Sequence, residues 1–304
     1  VAALIRSVDP TFHDPTREQA AIISIESNPF EPAVVIAGAG SGKTETMASR
    51  VIYLVANGFV KPDEILGLTF TRKAAGELSA RIRKRLRQLQ LAMTKAGIEV
   101  PFATLDTSVT TYHSYAGRLL SEHAIRYGID ADAEPLGEAA IWQIASDVVR
   151  NWSDDSYRND SAVSTVIKDL LGLSKLMLEH QVKAADIEAI GNEMLEKLQL
   201  LAGSTNEDTR AVARAMRQRN SLLPMVEAFM ERRKAAGELS FDDQMSLAAD
   251  IAQNFEDVGT LERGKYKVVL LDEYQDTSQS QVRMLSALYG NFVAETGHPV
   301  MAVG

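Results

Sequence analysis

Residues 33–44 of the chain read AVVIAGAGSGKT, an apolar run followed by a turn with three glycines and then by lysine and threonine. The apolar run at 33–37 predicts a strand, and the apolar spacing over 43–56 predicts a helix. Glycines in such a turn let backbone N–H groups point at phosphate oxygens, and the start of the next helix adds partial positive charge. The stretch therefore predicts an α/β fold that carries a phosphate-binding loop.

This loop supplies candidate ligands for a nucleotide. The Lys43 ammonium would reach the β- and γ-phosphates, and the Thr44 hydroxyl would bind Mg²⁺. The other candidate nucleotide-binding residues form the loop that would enclose the phosphates. They are Ala37, Gly38, Ala39, Gly40, Ser41 and Gly42. The general pattern has glycine at position 37, where this chain has alanine. A chance GKT string in an ordinary loop is the alternative, which the flanking strand and helix disfavour.

A second stretch, residues 268–277, reads VVLLDEYQDT and predicts a buried strand that ends in two acids. Asp272 at the end of that strand could hold Mg²⁺, usually through water. Glu273 could then polarise the attacking water as a general base. An acidic loop after a strand is common in proteins. The phosphate loop in the same chain is what favours the catalytic interpretation.

One glutamine precedes the phosphate loop, in the string DPTREQ. The Gln19 side chain has the donor and acceptor needed to pair with adenine N6 and N7. As an isolated residue, Gln19 would more often be an ordinary surface side chain.

The remaining hydrophobic patterns divide the chain into three parts. Strands are predicted at 64–70, 107–112, 266–271 and 299–303, and helices at 43–56, 73–90, 241–253 and 278–288. The middle shows almost no strand signal and predicts helices at 138–152, 164–179, 186–201 and 208–236. We therefore expect one parallel α/β sheet, built from residues 1–116 and 237–304 and incomplete at its C-terminal end, with an all-helical insertion at 117–236.

The composition excludes several classes of protein. The chain has 304 residues, 45% hydrophobic and 24% charged, as in ordinary soluble domains. It has no cysteine, which excludes disulfides, thiolate metal sites and thiol nucleophiles and fits a cytoplasmic location. No apolar run approaches the roughly 18–20 residues that a membrane span requires, so no membrane partner is expected.

The charge is unevenly distributed. The net charge of −9 alone would not suggest a nucleic-acid partner. Residues 72–87, however, contain seven basic side chains and one acid. The segment is either a solvated helix face or a surface that meets phosphates.

Six strings together carry a family resemblance: PTREQ, AGAGSGKT, LTFTRKAAGEL, TTYHS, FDD at 241–243, and LLDEYQDT. In this order, over residues 15–277, they resemble the front part of a superfamily 1 DNA helicase of the UvrD/Rep type. The TFTRKAAGEL and GKTET strings are most similar to the motor subunits of bacterial recombination helicase–nucleases. The resemblance implies a RecA-like P-loop NTPase fold, with ATP and Mg²⁺ as cofactors. It also implies movement on single-stranded DNA in the 3′→5′ direction, action at duplex junctions, and a role in repair or recombination.

The resemblance also implies which residues meet DNA. Phe70 would stack on a base, as aromatic platforms do, and Thr71 would donate to a phosphate. The other residues implied to bind DNA are Arg72, Thr111, Tyr112 and His113, and those implied to couple DNA to the nucleotide are Gln275 and Asp276. Two positions depart from the family: Arg72 stands where asparagine is common, and Glu45 stands where arginine is frequent.

The resemblance finally implies that further motifs and a second domain follow the last strand. The family continues there into a glutamine motif and a second motor domain whose arginines complete the ATP site. The resemblance to helicase–nuclease motor subunits also implies a partner subunit of that kind. We expect residues 1–304 alone to fold and bind Mg²⁺-nucleotide weakly, without DNA-stimulated hydrolysis or unwinding. Two alternatives are a non-motor DNA-binding subunit with the nucleotide site as a structural switch, and a P-loop ATPase unrelated to DNA. The LTFTRKAAGEL and TTYHS strings disfavour the second.

Overall fold

The computed structural model describes residues 1–24, 32–38, 40–127, 136–153, 161–200, 207–235, 241–290 and 298–304. The chain divides into two compact units. The first contains Val1–Leu119, Ala248–Thr277 and Gln281–Gly304. The second contains Leu120–Leu247 and Ser278–Ser280.

The first unit is built on a parallel sheet. Its five strands are β1 (Ala33–Val35), β2 (Ile65–Thr69), β3 (Ser108–Thr111), β4 (Val268–Leu271) and β5 (Val300–Val303). They lie in the order β1-β5-β4-β2-β3, and every neighbouring pair is parallel. The predicted parallel α/β sheet is confirmed, with pieces from both ends of the chain. The carboxyl ends of parallel strands share one edge, which is where such sheets bind ligands.

Twelve helices are assigned within the described residues. They are α1 (Ala2–Arg6), α2 (Arg17–Ser24), α3 (Lys43–Ala56), α4 (Arg72–Lys95), α5 (Tyr112–His123), α6 (Glu138–Arg150), α7 (Val163–His180), α8 (Ala184–Leu200), α9 (Glu207–Ala235), α10 (Phe241–Asn254), α11 (Glu256–Lys265) and α12 (Gln279–Tyr289). In none of the described ranges is a helix long and apolar enough to cross a membrane.

The core of the first unit explains why α3 and α4 form where they do. Apolar residues of α4 recur at three- and four-residue spacing, and Leu78, Ile82 and Leu86 are fully buried. They pack in one cluster with Met47 and Val51 of α3. Burial of these amphipathic faces against the sheet stabilises both helices.

The second unit is helical throughout its described part. Helices α6, α7 and α9 share a core of buried residues: Ala145, Val166, Ile167, Leu170, Leu222, Val226 and Phe229. Within this unit Asp243, in the FDD string, forms an ion pair with the buried Arg233 of α9. This gives Asp243 a structural contact that the sequence did not suggest.

Candidate nucleotide and DNA site

The phosphate loop connects β1 to α3, and its backbone requires glycine. Gly40 and Gly42 have φ angles of 79° and 85°, in the left-handed region that favours glycine. A Cβ at Gly42 would also lie 3.0 Å from the Gln19 amide nitrogen. The Ala37 N–H donates to the Gly304 carbonyl at 2.8 Å, which ties the loop to the end of β5. Ala39 lies outside the described residues.

Gln19 is held against this loop. Its side-chain nitrogen donates to the Ser41 carbonyl at 3.0 Å, and its side-chain oxygen accepts from the Thr16 N–H at 3.0 Å. A cavity of about 290 Å³ lies beside it, lined in part by Ala37, Ser41 and Lys43. The adenine contact of Gln19 stays a prediction, and the structure places its amide beside the loop that would hold the phosphates.

The two acids after β4 reach the same loop. The Lys43 ammonium lies 3.4 Å from a Glu273 carboxylate oxygen, although 230 residues separate the two in sequence. Asp272 is 7% exposed, and its N–H donates to the Leu68 carbonyl at 2.9 Å. Glu273 has a φ of 51°, a left-handed conformation that costs a non-glycine residue about 1–3 kcal/mol. Such strain is typical of residues whose position serves function.

The coupling candidates follow directly. The Gln275 amide donates to Glu273 at 2.6 Å and to Asp276 at 3.3 Å. The Gln275 side chain therefore holds the carboxylate of the candidate base. What Gln275 and Asp276 do when DNA binds stays a prediction.

The environment gives the two acids different electrostatics. Burial, and then the charge of Glu273, raise the pKa of Asp272 above its ordinary value. The hydrogen bond from Gln275, and then the charge of Lys43, lower the pKa of Glu273. Glu273 is therefore ionised at neutral pH and can accept a hydrogen bond from water. A cation near Asp272 would compensate the burial of its charge.

These residues fit a Mg²⁺-nucleotide. Among the described residues, no group of three or more His, Asp or Glu side chains could hold a metal ion by itself. Mg²⁺ in phosphate-transfer sites is usually bound by one or two carboxylates, with water and substrate phosphates completing the set. Asp272 offers one carboxylate, and Thr44 lies in the first turn of α3 directly after the phosphate loop, so the predicted metal ligands suit an ion shared with phosphate.

The predicted DNA residues lie beyond β2 and β3, at the same edge of the sheet. Thr71 is exposed, and its side-chain oxygen accepts from the Ala74 N–H at 3.0 Å, capping α4. Arg72 is exposed, while Phe70 and His113 are half-buried. Surface is therefore available at all four for the predicted strand contact.

Thr111 and Tyr112 are placed differently. The Thr111 hydroxyl is engaged with Ser114, accepting from its N–H at 3.1 Å and donating to its hydroxyl at 2.9 Å. Tyr112 has no exposed surface, and its hydroxyl donates to the Asp272 carbonyl at 3.3 Å. The DNA contact predicted at Tyr112 stays a prediction, and in this structure its side chain is fully buried.

Comparison with known proteins identifies the family. The family model for the UvrD/REP helicase N-terminal domain matches residues 16–304. The chain belongs to the UvrD/REP helicase family. Three relatives are an "ATP-dependent DNA helicase UvrD1" and an "ATP-dependent DNA helicase UvrD2" of Mycobacterium tuberculosis, and an "ATP-dependent DNA helicase PcrA" of Staphylococcus aureus. Their identities are 31%, 30% and 25%, over 85%, 86% and 92% of this chain.

This UvrD/REP domain spans only part of those relatives. It covers 28% of the length of the UvrD1 protein, 33% of UvrD2 and 32% of PcrA. The finer resemblance to helicase–nuclease motor subunits stays a prediction, because the named relatives do not bear on it.

Glu45, one of the two positions that depart from the pattern of the family, forms ion pairs within the protein. Glu45 accepts from Arg81 at 2.9 Å and from Arg85 at 2.7 Å, which links α3 to α4. Arg83 pairs with Asp106 at 2.8 Å. Part of the basic segment thus pairs within the protein. Arg81 and Arg85 lie 36 and 40 residues from Glu45 in sequence, so local sequence patterns do not indicate these two ion pairs.

Gly304 lies beside the candidate site, although none of the six sequence strings includes it. A Cβ there would lie 2.7 Å from the Gln275 side-chain oxygen, so glycine allows Gln275 to approach the end of β5. Because Gln275 holds Glu273, a larger residue at 304 would displace the support of the candidate base.

Asp272→Asn is expected to raise the free energy of unfolding at neutral pH by about 1 kcal/mol, since functional charges are often held at a cost in stability. The raised pKa means that ionised Asp272 destabilises the folded state above that pKa, and that the penalty disappears as the carboxyl takes up a proton. The difference between variant and wild type should therefore shrink as the pH falls from neutral toward the ordinary aspartate value of 3.8. Urea unfolding at several pH values without Mg²⁺ measures it, with exposed Asp63→Asn as control. A variant less stable than wild type at every pH would contradict the assignment.

Proposed function

We propose that this chain supplies the nucleotide-binding and part of the DNA-binding surface of an ATP-driven motor that moves along single-stranded DNA. The observation that carries the proposal is the Lys43–Glu273 contact of 3.4 Å between the phosphate loop and the acids after β4. The candidate DNA residues after β2 and β3 share that edge of the sheet. Nucleotide and DNA would therefore bind the same unit.

Each site residue takes a role that its surroundings allow. Lys43 would neutralise phosphate charge, and Thr44 and Asp272 would hold Mg²⁺. Bound Mg²⁺ would draw negative charge from the phosphate oxygens. Glu273, ionised and oriented by Gln275, accepts the proton of the attacking water. Gln19 lies at the side of the loop, where its amide could hydrogen-bond to the adenine of the nucleotide.

The finer features of this proposal rest on the family resemblance and on the printed names of the relatives. They are 3′→5′ movement, action at duplex junctions in repair or recombination, a cytoplasmic location, and a second motor domain whose arginines complete the ATP site. We likewise propose residues 1–116 and 237–304 as the motor domain and 117–236 as its insertion. A non-motor subunit that uses the nucleotide as a switch is disfavoured, because Lys43, Thr44, Asp272 and Glu273 are all present.

Phe70→Ala is expected to weaken binding of single-stranded DNA by about 1–3 kcal/mol, the value of one base stacked on an aromatic ring. Wild-type affinity should also fall steeply with salt and depend little on sequence, because phosphate contacts release counterions. Titration of labelled oligonucleotides at several salt concentrations measures both. Phe59→Ala is the matched control, since Phe59 is 41% exposed and precedes β2 at the opposite edge of the sheet. Equal losses at Phe59 and Phe70, or affinity independent of salt, would overturn this DNA surface.

A further inference from the structure

Tyr112 connects the two functional regions through the interior of the first unit. It follows β3, Phe70 follows β2, and Asp272 follows β4. Strand β2 lies between the other two, so a side chain that joins β3 to β4 must pass across the end of β2. The Tyr112 side chain crosses the end of β2 in this way, and the hydroxyl at its tip reaches Asp272.

Two contacts define this connection. The Phe70 and Tyr112 rings lie 5.0 Å apart with planes tilted by 53°, within the range of favourable aromatic pairs. The Tyr112 hydroxyl donates to the Asp272 main-chain carbonyl at 3.3 Å in a buried environment. The Asp272 N–H is bound at the same time by the Leu68 carbonyl of β2. The main chain of Asp272 is thus hydrogen-bonded on one side to Tyr112, at the start of α5, and on the other to Leu68 in β2.

We propose that Tyr112 is a positioning residue that couples single-stranded DNA at Phe70 to the nucleotide site at Asp272; this rests on the function proposed above. A base stacked on Phe70 restrains its ring, and that ring restrains Tyr112. The Tyr112 hydroxyl in turn restrains the carbonyl between Asp272 and the strained Glu273. Displacement at either end is therefore transmitted to the other, and such coupling is reciprocal between the two ligands.

A purely structural role would make a different prediction, and α5 offers a control for it. Tyr115 lies on the same helix, is 1% exposed, and donates its hydroxyl to Glu262 at 2.6 Å. Its contacts do not include Phe70 or Asp272 among those the structure describes. Tyr115→Phe therefore removes a buried hydroxyl of the same kind, away from the proposed connection.

The experiment measures the affinity of the 304-residue chain for a labelled oligothymidylate, with and without Mg²⁺ and a non-hydrolysable ATP analogue at saturation. Wild type should show affinities that differ by about fivefold or more between the two conditions, the lower end of usual coupling. Tyr112→Phe should reduce the ratio to within about twofold of unity, whereas Tyr115→Phe keeps the wild-type ratio. Phe70→Ala should reduce the ratio similarly, and the double variant should reduce it no further.

The outcomes separate the inference from the function on which it rests. Wild type that binds neither oligonucleotide nor nucleotide would overturn the proposed function. Wild type that binds both without coupling would overturn the Tyr112 inference alone, as would a wild-type ratio retained in Tyr112→Phe. If Tyr112→Phe fails to fold by circular dichroism, Phe70→Ala tests the same connection from its exposed end. A retained ratio in Phe70→Ala then overturns the inference.

Discussion

Glu273→Gln is expected to slow ATP hydrolysis about 10²- to 10⁴-fold in the chain joined to its proposed second motor domain, with ATP affinity within about threefold of wild type. Glutamine keeps the shape of the side chain and cannot accept the proton of the attacking water. Gln275 bonds to Glu273 at 2.6 Å and can still donate to the amide oxygen of the variant, so the loop should keep its conformation. Single-turnover hydrolysis and titration with a fluorescent ATP analogue measure the two quantities separately.

The matched control is Glu256→Gln. Glu256 is an exposed glutamate in the first turn of α11, and its substitution should change neither quantity. Hydrolysis by Glu273→Gln within about threefold of wild type would remove Glu273 from the role of general base, whose loss should cost far more.

Lys43→Ala is expected to weaken nucleotide binding by about 2–5 kcal/mol, which corresponds to about 30-fold or more. The ammonium is 16% exposed and acts on phosphate charge in the ground state as well as in the transition state. Its removal also leaves the Glu273 carboxylate without its cation and facing the phosphates. Titration of the 304-residue chain with Mg²⁺-ATP measures the loss directly.

Lys61→Ala serves as control, because Lys61 is exposed and precedes β2 at the far edge of the sheet. The two site variants should differ in kind: binding is lost at Lys43 and hydrolysis at Glu273. Equal loss of ATP affinity in both would falsify this division of roles.

Local patterns predicted most of the motor fold. The phosphate loop, strand β4 and the two acids were each evident in a short window of sequence. The strand predicted at 107–112 ends at Thr111, because the Thr111 side chain caps α5 and Tyr112 begins that helix. Helix α11 was not predicted, since its sequence contains two glycines and has weak periodicity. It is stabilised by tertiary burial of Val258 and Glu262.

The finer arrangement of the site could not be predicted in this way. Glu45 pairs with two arginines on another helix, and the Tyr112 hydroxyl bonds to a carbonyl 160 residues away. Hydrophobic periodicity indicates only which face of a helix or strand is buried. It therefore cannot predict contacts between residues from distant segments of the chain. The sequence therefore indicated which residues form the candidate site. It did not indicate which residues hold them in place.

The measurement that tests the central claim most directly is ATP hydrolysis, with and without single-stranded DNA, by the chain joined to its proposed second motor domain. If nucleotide and DNA are bound at one edge of the same sheet and are coupled, saturating oligonucleotide should raise the rate by about fivefold or more, and high salt should abolish the increase. Glu273→Gln should hydrolyse ATP at least about 100-fold more slowly than wild type under both conditions. A wild-type rate that is the same with and without DNA, under salt conditions where DNA is bound, would contradict the account.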